Sequence, residues 1–233
     1  MTKSEIRSFV KGLVRGISVE ERARFSEALK EEVVGLECWR SAKEVMLFFS
    51  LPDEVDMLPL IRAALAEQKR IYLPRVIATQ VSRGADVCEV AEGNTLAMRG
   101  TLAKKSEQAM GSTLLKKSTL PAGDTVSCEE MILEVRELAP GQLALGRWGI
   151  WEPTDEAPLL SDYSRLDLVV VPGVAFSSDG KRLGRGKSFY DRFLPLVPRA
   201  AFVGVCYPCQ VVEQIPADPW DIGMDIVCCG EKR

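Results

Sequence analysis

The chain has 233 residues, a net charge of −3 and an apolar fraction of 46%. These values are typical of a globular protein with one α/β domain or two smaller ones, and they exclude a global attraction to nucleic acid. The chain contains no histidine, which excludes catalytic triads with a histidine base and histidine-ligated metal sites.

The N-terminal residues and the lack of long apolar runs predict a cytoplasmic protein. No apolar run reaches the length of a membrane span, and the segment MTKSEIRSFVKGLVRG lacks the apolar core of a signal peptide. The segment is basic and amphipathic, which is compatible with an organelle transit segment. Glu5 argues against that alternative, because transit segments are poor in acidic residues.

The first third of the chain predicts two helices followed by a parallel strand–helix–strand unit. Thr2 or Ser4 is suited to cap the first helix, and Ser18-Val19-Glu20-Glu21 is a capping box that opens the second. The next strand, helix and strand are close enough in sequence to imply a parallel crossover. The predicted bounds are about 2–16 for the first helix, 44–49 and 70–74 for the strands, and 57–68 for the crossover helix.

The last third repeats this unit, and together they predict the fold class. The strands are expected at 166–171, 201–205 and 226–228, with a helix beginning at Ser188. The prediction is an α/β fold with a mainly parallel sheet and helices on both faces. Ligands of such sheets bind at the carboxyl ends of the strands, where the loop at 50–54 and the glycine-rich loop before Ser188 both lie.

The glycine-rich loop is the strongest functional signal in the sequence. The segment Gly180-Lys181-Arg182-Leu183-Gly184-Arg185-Gly186-Lys187 combines three glycines with four cations. Glycines let backbone N–H groups approach an anion, and a helix N-terminus adds positive potential. The segment therefore predicts a phosphate-binding loop. It is not a Walker loop, because five residues separate Gly180 from Gly186, and it lacks the G-x-G-x-x-G pattern. A basic loop without a ligand is the alternative.

The cysteines predict reduced thiols. The chain has 7 cysteines, including Cys206-Tyr207-Pro208-Cys209 and the pair Cys228-Cys229. An odd number in an α/β chain of this size does not indicate a disulfide framework. A zinc or redox site is the alternative, although adjacent cysteines fit a tetrahedral site poorly and Cys206 continues a predicted strand rather than opening a helix.

The glycine loop and the strand before it resemble the signature of the 5-formyltetrahydrofolate cyclo-ligases, also called methenyltetrahydrofolate synthetases. Residues 171–176 match Val-Pro-Gly-x-x-Phe, and residues 182–191 match Arg-Leu-Gly-x-Gly-x-Gly-Tyr-Tyr-Asp at most positions. Ser188 and Phe189 stand where the family usually has Gly and Tyr. Further segments resemble the family in the same order along the chain: Lys3 with Arg7, 48–56, 69–76, 131–135, 149–153, 203–210, 215–216 and 220–221.

The resemblance implies a single domain with the three-layer architecture of sugar-phosphate isomerases and acyl-CoA transferases. Residues 77–130 lie outside the match and look like an insertion, with a short strand at 86–90 and patchy helical periodicity at 98–115. The insertion is interpreted as a surface excursion. A contact with the folate tail is the alternative, through Lys104, Lys105, Lys116 or Lys117.

The resemblance also implies the ligands and the residues that bind them. The substrates are 5-formyltetrahydrofolate and ATP, with Mg²⁺ as the metal, and the protein is expected to be a monomer or weak homodimer without nucleic-acid or membrane partners. The implied ATP-binding residues are Lys3, Arg7, Arg182, Gly184, Arg185, Gly186, Lys187, Ser188, Phe189 and Tyr190. The implied folate-binding residues are Arg7, Phe49, Glu54 and Phe189. The implied metal ligands are Asp191 and Asp221, and the implied catalytic residues are Arg185, Lys187 and Tyr190.

The implied reaction is an ATP-driven ring closure. The formyl oxygen attacks the γ-phosphorus of ATP, N10 attacks the activated carbon, and phosphate leaves as the 5,10-methenyl product forms. The protein supplies geometry and charge neutralisation rather than a covalent nucleophile. Structural roles remain open for three of the residues: Asp191 as a first-turn helix carboxylate, Glu54 as a helix-start acid and Phe49 as core.

Three other functions remain open. A non-catalytic folate or nucleotide sensor on the same scaffold is favoured by Ser188 and Phe189, because they alter the signature loop. A zinc or thiol protein would use Cys206, Cys209, Cys228 and Cys229. A sugar-phosphate isomerase or acyl-CoA transferase of related architecture is compatible with the fold class alone.

Overall fold

The computed structural model describes residues 1–83, 88–90 and 126–231, which divide into two units. Unit 1 comprises Met1–Arg75 and Leu133–Arg233, and unit 2 comprises Val76–Ile132. The limits of unit 2 nearly coincide with the predicted insertion at 77–130. The predicted helical stretch at 98–115 and the four lysines considered for the folate tail lie outside the described residues.

The described elements are five α-helices, three 3₁₀ turns and twelve strands. The helices are α1 (Lys3–Arg15), α2 (Val19–Val34), α3 (Glu37–Ser41), α4 (Leu58–Ala66) and α5 (Phe189–Phe193), with 3₁₀ turns at Tyr163–Arg165, Leu194–Leu196 and Pro208–Gln210. The strands are β1 (Glu44–Met46), β2 (Arg70–Arg83), β3 (Cys88–Val90), β4 (Val126–Glu137), β5 (Leu143–Leu145), β6 (Trp151–Pro153), β7 (Leu168–Pro172), β8 (Ala175–Ser177), β9 (Arg182–Leu183), β10 (Ala201–Val205), β11 (Val211–Val212) and β12 (Ile226–Cys228).

Local sequence signals set the first two helices. The Thr2 side chain accepts a hydrogen bond from the Glu5 N–H, and Ser18 does the same for Glu21, so both helices begin with a capping box. α1 buries Ile6, Val10 and Val14, which recur every four residues along one face. The predicted starts of both helices are therefore confirmed.

The sheet of unit 1 is parallel, as predicted. Its strand order is β12-β10-β7-β1-β2, and each of these neighbouring pairs runs parallel. Helix α4 connects β1 to β2 and helix α5 lies in the connection from β7 to β10, because parallel neighbours cannot be joined by a tight turn. In unit 2, β3 pairs antiparallel with the outer part of β2, with Val81 opposite Val90.

Both faces of the sheet are covered. Along β7, Leu168 and Val170 pack into a core cluster with α1, α2 and α4, whereas Val169 and Val171 pack into a second cluster with Phe193 of α5. This alternation is the period of two expected of a strand that is buried on both sides. The mixed α/β fold with a mainly parallel sheet is therefore confirmed.

Two strand lengths differ from the prediction. β1 ends at Met46, although the apolar run continues through Phe49, and Leu47 N still donates to Tyr72 O at 2.9 Å. β2 continues far beyond residue 74, to Arg83, because its outer part pairs with β3. None of the described helices combines the length and apolar character needed to cross a bilayer.

Candidate functional site

The glycine-rich segment lies between β8 and α5, and its backbone requires unusual conformations. Gly180 and Gly186 have φ angles of +83° and +92°. A side chain at Gly180 would also place its Cβ 2.4 Å from Met224 O, so glycine is required there for space as well as conformation. At Gly186 the nearest atoms to such a Cβ belong to Arg7, at 3.9 Å, which leaves room for a ligand.

The prediction that Ser188 caps the helix is wrong. Ser188 has a φ of 54°, in the left-handed region, and its side chain makes no capping hydrogen bond to α5. A capping serine normally has extended backbone, which directs its hydroxyl to the first helical N–H groups. The geometry of the loop imposes the left-handed conformation instead, and this conformation explains why glycine suits the position.

Replacing Ser188 by glycine is expected to raise the free energy of unfolding by about 0.5–1 kcal/mol, because glycine adopts the left-handed conformation without a Cβ clash. The matched control is Ser8→Gly, in the exposed middle of α1, which is expected to lower it by a similar ~0.5–1 kcal/mol. Urea denaturation of both variants measures the difference. Destabilisation by Ser188→Gly would contradict this account of the loop.

Helix α1 contributes two cations to the region, as the Lys-x-x-x-Arg spacing predicts. Arg7 Nε donates a hydrogen bond to Gly184 O at 2.8 Å and so attaches the glycine-rich segment to α1. Lys3 Nζ contacts Asp218 and Asp221, each at 2.6 Å. Partial burial opposes the charge on Lys3, but these two carboxylates raise its pKa overall.

Arg182 supports the loop from inside. Its side chain is only 4% exposed and forms an ion pair with Asp191. Nη1 donates to Pro172 O at 3.3 Å, at the end of β7, and the guanidinium lies 5.7 Å from the Tyr190 ring centroid. The residue therefore ties the end of β7 to α5. A cation that binds phosphate must be accessible to the ligand. Arg185 and Lys187 meet this requirement better than the buried Arg182 does.

Arg185 joins the glycine-rich segment to the loop after β1. Its guanidinium donates to both oxygens of Asp53, at 3.1 and 2.5 Å, and to Glu54 Oε1 at 3.1 and 3.0 Å. Burial raises the pKa of Glu54, and the charge of Arg185 opposes this shift. Lys187 is exposed and has no carboxylate partner among the residues that the structure describes.

Tyr190 belongs to α5, and its hydroxyl is buried. Within the described parts of the chain, this hydroxyl has no hydrogen-bond partner. Burial raises the pKa of Tyr190, the charge of Glu54 adds to this shift, and Arg182 opposes it. The phenol therefore stays protonated, and its O–H donor is unused among the described residues.

A cavity of about 450 Å³ opens beside the loop after β1. Phe49, predicted to contact the folate ring, lies on its wall. Phe189 is not among the residues that line it, and its ring lies instead 6.2 Å from that of Trp148, tilted by 55°. The full lining is Phe49, Ser50, Asp56, Leu58, Leu143, Gly149, Ile150 and Trp151.

Two residues of this region escaped the sequence analysis. Asp53 was not assigned a role, because the pattern gives no indication that Arg185 lies beside it. Trp148 is 43% exposed and contacts Phe189 from the hairpin that joins β5 to β6. A tryptophan immediately before the matched segment 149–153 was the available signal in the sequence.

The carboxylates predicted to bind metal are each paired with a cation. Asp191 pairs with Arg182, and Asp221 pairs with Lys3. Across residues 1–83, 88–90 and 126–231, no group of three or more Cys, Asp or Glu side chains is arranged to hold a metal ion. The described cysteines therefore provide no ligand set for the zinc hypothesis.

The fold and the loops at the carboxyl ends of its strands define an α/β protein with a candidate ligand site at that edge of the sheet. The family model of the 5-formyltetrahydrofolate cyclo-ligase family matches residues 1–230. The chain belongs to this family, whose members are ligases, and the resemblance noted from the sequence is confirmed.

Individual relatives agree with this assignment. The 5-formyltetrahydrofolate cyclo-ligase of Escherichia coli (strain K12) is 38% identical over 193 residues, covering 82% of this chain and 80% of that protein. The Haemophilus influenzae protein of the same name is 24% identical over 230 residues, covering 98% and 97%.

Solved structures agree as well. The NMR structure of Aquifex aeolicus 5,10-methenyltetrahydrofolate synthetase is 29% identical, covers 100% of this chain and 91% of that chain, and has a TM-score of 0.68. The Mycoplasma pneumoniae synthetase has a TM-score of 0.63 at 18% identity, with 99% and 100% covered, and supports the fold.

Proposed function

We propose that the protein converts 5-formyltetrahydrofolate to 5,10-methenyltetrahydrofolate while ATP is cleaved to ADP and phosphate. Family membership supports the activity. The observation that carries the proposal is the contact of Arg185 with Glu54, because it brings the candidate phosphate loop against the candidate folate-binding carboxylate. A reaction that joins the γ-phosphate of ATP to a folate oxygen needs these two groups side by side.

The ATP phosphates are proposed to bind over the glycine-rich segment. Arg185 and Lys187 are exposed cations on this segment, and Arg7 holds its backbone at Gly184. Backbone N–H groups around Gly186 complete the proposed site, because the absent side chain lets a phosphate approach the backbone there. The proposed ATP site also includes Lys3, Arg182, Ser188 and Tyr190. Arg182 supports the loop and does not contact the nucleotide directly.

The folate ring is proposed to enter the cavity beside Phe49. Its volume of about 450 Å³ is in the range of small-molecule sites. The Phe49 ring lies on its wall, and Trp148 and Phe189 form a second aromatic pair available for stacking. The buried Glu54 carboxylate is a strong acceptor for N–H groups of the folate ring. Arg7 is also assigned to the proposed folate site.

The chemistry proceeds in two steps. The formyl oxygen bonds to the γ-phosphorus of ATP, and the bond to ADP breaks. N10 then bonds to the activated carbon, loses its proton, and expels phosphate together with the former formyl oxygen. Arg185 and Lys187 stabilise the negative charge on the phosphate during both steps. Tyr190 keeps its proton and donates a hydrogen bond toward the reacting oxygen.

Mg²⁺ is proposed to bind mainly through the ATP phosphates. ATP-dependent enzymes commonly hold it with one or two carboxylates plus phosphate oxygens, and Asp191 and Asp221 are the proposed carboxylates. Each would have to share its charge with a cation, Arg182 or Lys3. Bound Mg²⁺ would neutralise part of the phosphate charge.

Replacing Lys187 by alanine is expected to raise the KM for ATP about 10-fold, since it removes a charged contact to phosphate. The matched control is Lys181→Ala, an exposed lysine of the same segment that pairs with Asp179 at 2.7 Å. Steady-state kinetics at saturating folate measures both variants. Equal effects of the two substitutions would show that only the net charge of the segment matters.

A non-catalytic sensor is the second candidate, and the strained Ser188 is the observation that favours it. The test mixes the purified protein with 5-formyltetrahydrofolate and Mg²⁺-ATP and follows the near-UV absorbance of the methenyl product. A rise that depends on ATP supports the enzyme. Folate binding without any rise supports the sensor and makes Ser188→Gly and Phe189→Tyr the next variants.

The protein is further proposed to act in the cytoplasm as a monomer or weak homodimer. Its proposed partners are the two small-molecule substrates, without nucleic acid or membrane. Sedimentation at several protein concentrations measures the oligomeric state, and a tight higher oligomer would contradict this part of the proposal.

A further inference from the structure

Two carboxylates share one guanidinium where the loop after β1 meets the glycine-rich segment. The two oxygens of Asp53 accept hydrogen bonds from Nη1 and Nη2 of Arg185. Oε1 of Glu54 accepts hydrogen bonds from Nε and Nη2 of the same guanidinium. The Asp53 side chain is 41% exposed, whereas that of Glu54 is 9% exposed. Arg185 is therefore held by one carboxylate at the surface and by another inside the protein.

The proposed roles of Arg185 and Glu54 compete with the ion pair between them, because both roles use the atoms that form this pair. Arg185 is to bind phosphate, and Glu54 is to accept hydrogen bonds from the folate ring. A buried carboxylate that loses its cation is strongly destabilised unless other donors replace it. Folate ring donors supply this replacement to Glu54, and phosphate oxygens supply the equivalent acceptors to Arg185.

We propose that Asp53 is a positioning residue that holds Arg185 on Glu54 until both substrates are present, so that nucleotide and folate bind cooperatively. This inference rests on the proposed function. Phosphate draws the guanidinium away from Glu54 and leaves its carboxylate free for folate. Folate in turn releases the guanidinium for phosphate. Asp53 opposes binding of the nucleotide alone, because it competes for the same N–H groups.

Calorimetric titration of the full chain tests this coupling, with a non-hydrolysable ATP analogue, Mg²⁺ and 5-formyltetrahydrofolate. In the wild-type protein, folate is expected to tighten binding of the analogue about five-fold or more, and the analogue is expected to tighten folate binding by the same factor. Asp53→Asn is expected to tighten binding of the analogue alone by about two- to five-fold. Asp53→Glu retains a carboxylate and is expected to return the affinity toward the wild-type value.

The matched control is Asp179→Asn. Asp179 precedes the same segment and pairs with Lys181 and Ser177, without contacting Arg185. This variant makes the same change in net charge, and its affinity for the analogue is expected to stay within about two-fold of wild type. A gain equal to that of Asp53→Asn would overturn the assignment to Asp53.

The outcomes separate this inference from the proposed function. If turnover occurs but the two ligands bind independently, the inference is overturned and the proposed function stands. The same holds if Asp53→Asn leaves the analogue affinity unchanged or weaker. If the wild-type protein neither turns over nor binds the two ligands, the proposed function fails, and the inference fails with it.

Discussion

Glu54→Gln is expected to lower kcat/KM for 5-formyltetrahydrofolate by about 10- to 100-fold while the protein stays folded. The substitution keeps the size of the side chain but removes the negative charge that pairs with Arg185. Steady-state kinetics at saturating ATP measures the loss, and circular dichroism verifies folding.

The matched control for this variant is Glu44→Gln. Glu44 is also largely buried, with a side chain 19% exposed, and it pairs with Arg70 and Arg165. It lies at the amino end of β1, whereas the candidate site lies at the carboxyl ends of the strands. Its kcat/KM is expected to remain within about two-fold of wild type. Wild-type activity of Glu54→Gln, or an equal loss in Glu44→Gln, would contradict the folate-binding role.

The Glu54 carboxylate is also expected to determine how kcat/KM declines at acidic pH. Burial raises the pKa of Glu54, and Arg185 only opposes this shift. A carboxyl with a raised pKa takes up its proton at a higher pH than an ordinary glutamate. As the pH falls, kcat/KM is therefore expected to decline at a higher pH than an ordinary glutamate would set, and Glu54→Gln is expected to remove this decline.

Arg182→Ala is expected to lower the free energy of unfolding by about 3–5 kcal/mol, the cost of breaking a buried ion pair from one side. The substitution leaves the Asp191 carboxylate without its cation and removes the bond to Pro172 O and the contact with the Tyr190 ring. Urea denaturation followed by circular dichroism measures the change. Arg182→Lys retains the charge but not the planar fork, so an intermediate loss is expected.

Arg75→Ala provides the comparison for a surface pair. Arg75 contacts Asp155 at 2.6 Å, but the Asp155 side chain is 81% exposed. Its removal is expected to cost about 1 kcal/mol or less, because water screens the pair. If Arg182→Ala were no more destabilising than Arg75→Ala, the supporting role given to Arg182 would be wrong.

The features predicted correctly from the sequence depend on residues close together in the chain. Thr2 with Glu5 and Ser18 with Glu21 are three residues apart, so their capping boxes are visible as patterns. β7 is apolar at every position, which indicates a strand buried on both faces. The length of β2 depends instead on its pairing partner, which lies later in the chain.

The contacts between residues of the candidate site could not be predicted from the sequence. Arg185 and Asp53 are 132 residues apart in sequence, so no local pattern indicates their contact. The conformation of Ser188 was missed for a related reason: a serine before a short apolar segment has the pattern of a helix cap, whereas loop geometry fixes its backbone. Phe189 and Phe49 were both expected to contact the folate ring, and no local pattern indicates that the Phe189 ring lies beside that of Trp148.

The central claim is that ATP phosphorylates the formyl oxygen of 5-formyltetrahydrofolate on this protein. The most direct measurement uses substrate carrying the heavy oxygen isotope in its formyl group, with Mg²⁺-ATP and mass analysis of the phosphate released. The account predicts that the label leaves with phosphate as the methenyl product forms. Product formation with unlabelled phosphate would contradict it.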